Sequence, residues 1–494
     1  MKTVCSLFPL TNAAVESLRA IPKLGQLLEL ADDLGGEILL VGGVIRDALM
    51  GRPLKDVDLA LPRDVGLEPV MEFARKVGGT LVPLDKQHRT FRVVAGGVDY
   101  DFSPIEGPDI LTDLARRDFT INAMAIGLNR QLWSGEVTLL DPFNGRGDVT
   151  AGVVRMISPD NFVADPLRLL RAYRFVAELD FEIDPLTEHE IAALARDVAS
   201  VAVERVTFEL NRIFGCPTSG PVLRAMDQTG LLGAIFPELM LLKGVGQNEH
   251  HHLDVFDHSL EAVNVLERLI PRPDLIFHSH VQAFEEFRNE ENVIRLKWAT
   301  LFHDLGKPQT CRTTDQGKVT FYDHPHLGRT MFEEIGHRLK LSSAHISFVT
   351  HLIDGHMRPL SLVTALRQGQ LTDRAAARLV SDLGPDVVGL FLLAAADDMA
   401  TRGPAAELDS LELLDELWSR VAVVSHRREE AALSGPPLVT GHDLMARFDL
   451  PPGPVIGRML NDIKLAILAG EIQTRDQALD LALHFVSPSD SQMG

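Results

Sequence analysis

The sequence predicts an α/β domain at the N-terminal end, followed by a chain that is helical throughout. Three observations carry this. Glu37–Val41 is a short apolar run that ends in Gly42-Gly43, and a second such run lies at Val57–Leu61. Between them, Val44–Met50 has helical spacing and is stopped by Gly51. From about residue 155 onward, apolar residues recur at the spacing of amphipathic helices.

The elements follow in order. Residues 12–34 have helical spacing through Val15, Leu18, Leu24, Leu27 and Leu28. A helix is expected near 66–77, and strands near 80–84, 89–95 and 98–103 complete the α/β unit. Residues 155–240 read as helices, and a histidine-rich helical stretch follows over 245–400. Within it, Arg272–Glu291 reads as an insertion. The polar stretch 425–437, ending in Gly435-Pro436-Pro437, reads as a linker. Residues 438–485 are helical again, and 487–494 are expected to be disordered. No internal repeat or low-complexity tract interrupts the pattern.

Length and composition bound the function. At roughly 150 residues per domain, a chain of 494 residues holds about three domains. Apolar residues at 45% and charged residues at 24% exclude a mainly disordered or collagen-like chain. Lys+Arg number 48 against Asp+Glu 69, a net charge of -21. That argues against indiscriminate binding to nucleic-acid backbones, though a basic groove can sit on an acidic body. Cys5, Cys216 and Cys311 lie too far apart for a disulfide framework or a zinc knuckle, which favours a reducing cytoplasm. The strongest apolar run, Val387–Ala396, is about half the length a bilayer requires, so no membrane partner is expected. The N-terminus lacks a clear cleavage site and reads as mature protein.

The first chemical centre is Gly42-Gly43-Val44-Ile45-Arg46-Asp47 followed by Asp56-Val57-Asp58. Side chains alternate along a strand, so Asp56 and Asp58 project from one face. Two carboxylates this close repel, and they are best tolerated around a shared cation; hard oxygen ligands suit Mg²⁺. The Gly-Gly turn at a helix start lets backbone N–H groups approach a triphosphate, and the helix dipole favours the anion. Arg46, one turn in, is placed to reach a phosphate oxygen. A lone Asp-x-Asp is most often a solvated pair at a strand edge; the glycine turn and Arg46-Asp47 at this spacing set this one apart. Asp99 and Asp101 on a later strand are candidates for a third carboxylate, although such residues are more often structural.

Two further segments suit a nucleotide. In Arg116-Arg117-Asp118-Phe119-Thr120-Ile121-Asn122, a helix start is expected with Asp118 or Thr120 as cap. Asp118 and Asn122 are candidates for ribose hydrogen bonds, and Arg116 and Arg117 for phosphate. The turn Asp141-Pro142-Phe143-Asn144-Gly145 reads as structural. In Asp165-Pro166-Leu167-Arg168-Leu169-Leu170-Arg171-Ala172-Tyr173-Arg174, the residues Asp165, Arg168, Arg171 and Arg174 form an i,i+3 row. An Asp that accepts and an Arg that donates, held rigidly, match the Watson–Crick edge of a base without a template. Seen alone, the same row also fits a salt-bridged amphipathic helix.

In this order the segments resemble the class II tRNA nucleotidyltransferase/poly(A) polymerase family of the DNA polymerase β superfamily, over residues 37–240. The resemblance implies an α/β nucleotidyltransferase (polymerase β-like) head, an all-α neck/body, an all-α HD domain and a helical tail. It implies a template-free enzyme that adds CMP and AMP from CTP and ATP to the tRNA 3′ end. Asp56 and Asp58 would be catalytic and bind Mg²⁺. Gly42, Gly43 and Arg46 would hold the triphosphate. Arg117, Asp118 and Asn122 would contact phosphate and sugar. Asp165 and Arg168 fall on the base-reading motif Glu-Asp-x-x-Arg, with Arg171 and Arg174 in the same helix. Ala164 stands where that motif has Glu, which keeps a CC-adding, A-adding or poly(A)-adding relative as an alternative.

The second centre is rich in histidine: thirteen of the 18 histidines lie between 245 and 360. His303-Asp304 on an apolar helix, His258 upstream and Asp397 in an Ala-rich helix downstream make a mixed N/O set for a borderline divalent metal. Such a metal creates hydroxide from bound water for phosphoester hydrolysis. His324 and His356 suit a second ion or a substrate phosphate, whereas His250, His251 and His252 read as a solvated loop. This stretch resembles the HD-domain phosphohydrolase superfamily, and Leu438–Met445 with Pro451-Pro452-Gly453 resembles the tail of HD-containing bacterial CCA-adding enzymes. That resemblance implies phosphatase, 2′-nucleotidase and 2′,3′-cyclic phosphodiesterase activities with Ni²⁺, Mn²⁺, Co²⁺ or Fe²⁺. The modules implied are a head over 1–150, a neck over 151–244, an HD domain over 245–405 and a tail over 406–494; self-association is compatible with all of them. Two other readings compete: an HD nucleotide hydrolase with a degenerate RNA-binding transferase module, and a regulatory RNA-binding protein with neither activity.

Overall fold

The computed structural model describes residues 7–35, 38–85, 89–130, 132, 137–247, 251–401, 409–433 and 437–485. The expectations for Glu37, His250, Gly435-Pro436 and 487–494 lie outside the described residues. The chain divides into two compact units, 1–213 with 225–235 and 214–224 with 236–494.

The first unit is built on an eight-stranded sheet: β1 (Leu7–Pro9), β2 (Leu39–Val41), β3 (Asp56–Leu61), β4 (Thr80–Asp85), β5 (Thr90–Ala95), β6 (Val98–Pro104), β7 (Ala125–Gly127) and β8 (Thr138–Leu140). Its order is β1-β8-β7-β2-β3-β6-β5-β4. β3 and β6 run parallel, and the Glu68–Val77 helix lies in the crossover between them; the other neighbours are antiparallel. Alternation decides which side of β3 is dry. Val57 and Leu59 are fully buried in the head core with Phe73, Tyr100 and Phe102, so Asp56 and Asp58 fall on the opposite face. Burying residues of this size contributes about 1.5–3 kcal/mol each, which fixes the register against a one-residue slip.

The expected strands and helices of the head appear, with 12–34 broken into helices Asn12–Arg19 and Leu24–Asp33. The expected cap at Asp118 or Thr120 does not form. Thr120–Asn122 is a single 3₁₀ turn preceded by Phe119, because the Asp118 carboxylate turns inward and accepts from Phe119 N–H and the Asn122 amide. The Asp141 turn is structural as expected: its buried carboxylate accepts the N–H groups of Gly145 and Arg146. Beyond it the unit is helical over Pro159–Ala164, Leu167–Leu179, Pro185–Leu194 and Val203–Gly215.

The second unit is helical. Val255–Leu269, Glu290–Phe302, Ser343–Gly355 and Val387–Ala400 pack around one core. The helical stretch Asp373–Ala400 is apolar enough to cross a membrane by length and composition, but 72% of its most apolar window is buried inside the fold; it is a core element. The Arg272–Glu291 segment packs inward: Phe277 and Phe284 stack at 4.6 Å, and Phe284 lies 4.6 Å from Trp418. The linker expected from residue 425 is corrected by the structure. Ser410–Leu433 is one helix, and the polarity of Ser425–Glu430 is that of an exposed helix face rich in Arg and Glu, both good helix formers. Gly441–Phe448, Pro454–Ala469 and Arg475–Leu483 then enclose a small core of their own around Leu444, Met459 and Ile463.

Candidate active site and metal centre

In the first unit, β2 delivers the chain to Gly42, whose φ of +73° only glycine adopts cheaply. A Cβ there would lie 2.8 Å from Asp58 Oδ2 and 3.0 Å from Arg117 Nη1. The turn is therefore a concavity walled by a carboxylate and a guanidinium. The helix Gly43–Met50 starts in it, and Gly43 N–H donates to Asp58 Oδ2 at 3.3 Å. Burial pushes the Asp58 carboxyl upward and Asp101 adds to that, against Arg117. Burial and Asp99 push Asp56 upward, against Arg92. Two carboxylates raised together on one face lack sufficient positive charge, and hard oxygen donors of this kind fit a divalent cation.

The remaining predicted residues gather behind this pair. Arg46 is buried and donates to Asn122 Oδ1 at 2.8 Å and to Asp47. Arg117 donates to Asp113 and to the Asn122 carbonyl. Burial alone would raise Asp118, but Arg171 at 2.5 Å and the Asn122 amide hold it well below the usual carboxylate range. Arg171 and Arg174 are both within ion-pair distance of Glu209, which is buried. Arg46, Arg171 and Arg174 all lie over the Phe175 ring, at 5.2, 5.5 and 4.4 Å. The expected i,i+3 row thus divides by partner: Arg171 and Arg174 are tied to the buried Asp118 and Glu209, while Asp165 meets Arg205 and Arg168 donates to the Asn161 carbonyl. Glu209 was missed from the sequence; an acid on an apolar helix face was its only signal.

In the second unit, His258, His303 and Asp397 form one buried group and Asp304, His324 and His356 another, the donor atoms of each within 4.8 Å of one another. Backbone carbonyls set the tautomers. The Nδ1 atoms of His303, His324 and His356 lie 2.8, 2.7 and 2.7 Å from the carbonyls of Thr300, Phe321 and Ile353. Each ring then turns its Nε2 inward. The Nε2 atoms of His324 and His356 face each other at 3.1 Å, two lone pairs with nothing to share. Burial, with His303 and His324 adding, pushes His356 down to about 3. Among the described residues, His303 Nε2 and both Asp304 oxygens are buried without a directed hydrogen bond. Lys307 Nζ does approach Asp304 Oδ2, at 2.6 Å. Such a set fits divalent metal, with Asp304 placed between the two groups.

A cavity of about 570 Å³ opens on this centre, lined by Asp304, Lys307, Tyr322, His324, Asp397 and His251. His251 corrects the expectation of a solvated loop: its ring meets His258 edge-on at 5.1 Å, and burial drives it down to about 3. Three histidines in a row looked like a polar loop because the elements that bury the middle one are distant in sequence.

An acidic pair on the open face of a mixed sheet, beside a helix start shaped for an anion, defines the class: a nucleotidyltransferase, here with a histidine–aspartate cluster suited to metal in the same chain. The comparisons agree. Residues 38–155 match the Poly A polymerase head domain, 255–383 the HD domain, and 180–242 the RNA and SrmB-binding site of polymerase A. The A-adding tRNA nucleotidyltransferase of Deinococcus radiodurans is 35% identical over 89% of this chain and 93% of its own. The CC-adding tRNA nucleotidyltransferase of Thermus thermophilus is 32% identical over 92% and 94%. A CCA-adding enzyme solved with CTP shares the fold at TM-score 0.66 and 23% identity, over 98% of this chain and 99% of that one. The chain belongs to the tRNA nucleotidyltransferase family, and it carries an HD domain.

Proposed function

We propose that this enzyme adds CMP and AMP, from CTP and ATP, to the 3′ end of tRNA. The reading rests on Asp56 and Asp58 sharing the open face of β3 beside the Gly42-Gly43 helix start. In it, Asp56 and Asp58 are the residues that would hold Mg²⁺. Bound there, Mg²⁺ would offset charge on the leaving pyrophosphate and favour ionisation of the attacking hydroxyl. Gly42 lets the backbone come close to the phosphates, the Gly43 N–H would exchange Asp58 Oδ2 for a phosphate oxygen, and Arg46 and Arg117 supply positive charge beside them. Asp118 and Asn122, locked to Arg171 and Arg46, form the floor under the sugar. Asp165 and Arg168 read the base.

Asp56→Ala and Asp58→Ala are expected to abolish incorporation of labelled CTP and ATP into tRNA while leaving the fold and the second centre's metal content unchanged. Retained incorporation refutes the assignment. A second reading, addition of CC alone or of A alone, is favoured by Ala164 and by the split activities of the two relatives. Assays with one nucleotide at a time separate the readings, on tRNAs lacking CCA, ending in CC or ending in CCA. Long A-tails without C addition would instead mark a poly(A) polymerase.

For the second centre we infer a phosphohydrolase that uses Ni²⁺, Mn²⁺, Co²⁺ or Fe²⁺ held by His258, His303, Asp304 and Asp397, with His324 and His356 serving a further ion or the substrate phosphate. A cytoplasmic location and the four modules 1–150, 151–244, 245–405 and 406–494 belong to the same reading.

A further inference from the structure

Asp165 is not free to turn. Its carboxylate accepts from both arms of Arg205, Nη2 to Oδ2 at 2.9 Å and Nη1 to Oδ1 at 3.3 Å. The Leu167 N–H adds a third donor to Oδ1 at 3.3 Å. Arg205 lies on the Val203–Gly215 helix, whereas Asp165 caps the C-terminal end of Pro159–Ala164, so the grip joins elements remote in sequence. Ala164 brings no carboxylate of its own, and among the described residues Asp165 is the acidic group that Arg205 holds. Both side chains keep contact with solvent, at 54% exposure for Arg205 and 29% for Asp165. Nearby, Arg168 Nη1 donates to the Asn161 carbonyl at 3.2 Å, which fixes the second reader.

Cytosine and adenine present an exocyclic amino donor beside a ring-nitrogen acceptor. Uracil and guanine present the reverse, a carbonyl acceptor beside a ring N–H. Against the first pattern, a carboxylate accepts from the amino group and the guanidinium beside it donates to the ring nitrogen. Against the second pattern, the carboxylate faces a carbonyl oxygen and repels it. That discrimination requires the carboxylate to stay where it is. The terminal torsion of Asp is broad, and an untethered carboxylate can swing aside so that Arg168 alone meets a keto base.

We propose that Arg205 is a positioning residue for base selection: by clamping the plane of Asp165, it sets the preference for amino-bearing over keto-bearing bases. The inference rests on the reading of Asp165 and Arg168 as base readers. A two-pronged guanidinium suits the task, because a Lys ammonium keeps the charge without fixing the plane.

The test measures kcat/KM for CTP, ATP, UTP and GTP on tRNA acceptors with the full-length enzyme and with Arg205→Gln, Arg205→Lys and Asp165→Asn, beside the KM for tRNA and the thermal unfolding midpoint. Arg205→Gln is expected to narrow the amino-over-keto ratio about tenfold with unchanged tRNA KM, and Arg205→Lys to lie between it and wild type. A uniform loss for all four nucleotides, or a raised tRNA KM with the ratio intact, overturns the proposal and makes Arg205 an RNA phosphate contact. If Asp165→Asn leaves the ratio unchanged, the base-reader assignment itself fails. If Asp165→Asn shifts the ratio and Arg205→Gln does not, only the clamp is refuted. Arg205 is half exposed, so these variants are expected to fold, which the unfolding midpoint checks.

Discussion

Arg92 holds Asp101 with two parallel hydrogen bonds, Nε to Oδ1 and Nη2 to Oδ2, both at 2.7 Å. Its remaining nitrogen lies 2.8 Å from Asp99. In the sheet, Asp99 stands beside Asp56 and Asp101 beside Asp58. Four carboxylates therefore share one face, and a single guanidinium only partly offsets the outer two. The inner pair is left with the unmet charge.

Removing Arg92 should make the inner pair harder to ionise. Asp56 is already raised by burial and by Asp99 and Asp101, and Arg92 is the largest opposing influence. In Arg92→Leu the acid limb of the pH–kcat/KM profile for nucleotide incorporation is expected to move upward. The sign follows because the ionised form is the one required. A limb that stays in place or moves to lower pH would mean that Arg92 does not act on Asp56.

Gly42→Ala tests the concavity. The added methyl meets Asp58 Oδ2 at 2.8 Å, at a φ that L residues avoid. The backbone term costs about 1–2 kcal/mol, a loss the head can survive. Incorporation should fall about 100-fold or more, because the methyl takes the space of the triphosphate and displaces Asp58. Circular dichroism with the incorporation assay decides it; a folded variant of near-normal activity contradicts the cradle.

Metal content tests the second centre. Chelation of the purified enzyme should lower its thermal unfolding midpoint, since buried Nε2 lone pairs and carboxylates lose their shared partner. His356→Ala should remove metal from the group that contains Asp304 and His324, and spare the group that contains His258 and Asp397. Elemental analysis would show a partial loss in His356→Ala and a larger one in His303→Ala. Equal content in both variants and wild type would rule out metal at these residues.

How much of this was legible beforehand depended on distance along the chain. Asp56 and Asp58 share a face because a strand alternates, and Gly42 turns because glycine permits it; both facts are local. Arg92 was invisible because its role comes from the register of β5 on β6 and of β6 on β3. Arg205 and Glu209 were invisible for the same reason: their partners lie about one domain segment away. Asp118 was expected as a possible helix cap, and it does not cap. A sequence shows a capping residue type, but not that Arg171 turns it inward. The helix through Ser425–Leu433 was hidden because an exposed charged helix and a polar linker have similar composition.

His345 predicts a loss of stability in mild acid. It is buried edge-on against Trp298, 5.8 Å between ring centres, and among the described residues its Nε2 finds no hydrogen-bond partner. Burial, with Arg295 adding, lowers it from 6.5 to about 4. Above about pH 6.5 the imidazole is neutral both folded and unfolded, and its contribution is complete. Between 6.5 and about 4 the unfolded chain takes up the proton more readily, so stability falls as pH falls. From pH 7 to pH 5 that loss is about 2 kcal/mol, and His345→Phe should remove it. Denaturant titrations of both proteins at the two pH values measure the difference; parallel losses would assign the acid sensitivity to other groups.

The buried pair Lys297–Glu267 predicts an order of damage. Lys297 Nζ donates to Glu267 Oε1 at 2.7 Å, and it also reaches the Cys216 carbonyl and Ser219 Oγ. Glu267 has other donors: Ser219 N–H and Oγ, and Gly220 N–H. These belong to the start of the Ser219–Gln228 helix, where a carboxylate is favoured even without a cation. Lys297→Met therefore leaves an anion that is still held. Glu267→Leu leaves an ammonium with neutral acceptors only, together with N–H groups that have lost theirs. Breaking a buried pair from one side costs about 3–5 kcal/mol, and Glu267→Leu should reach that range while Lys297→Met stays below it. Tryptophan fluorescence reports the transition, with Trp298 next in the chain to Lys297. If Lys297→Met is the more damaging change, the helix start is not what stabilises Glu267, and the pair is held mainly by its own Coulomb attraction.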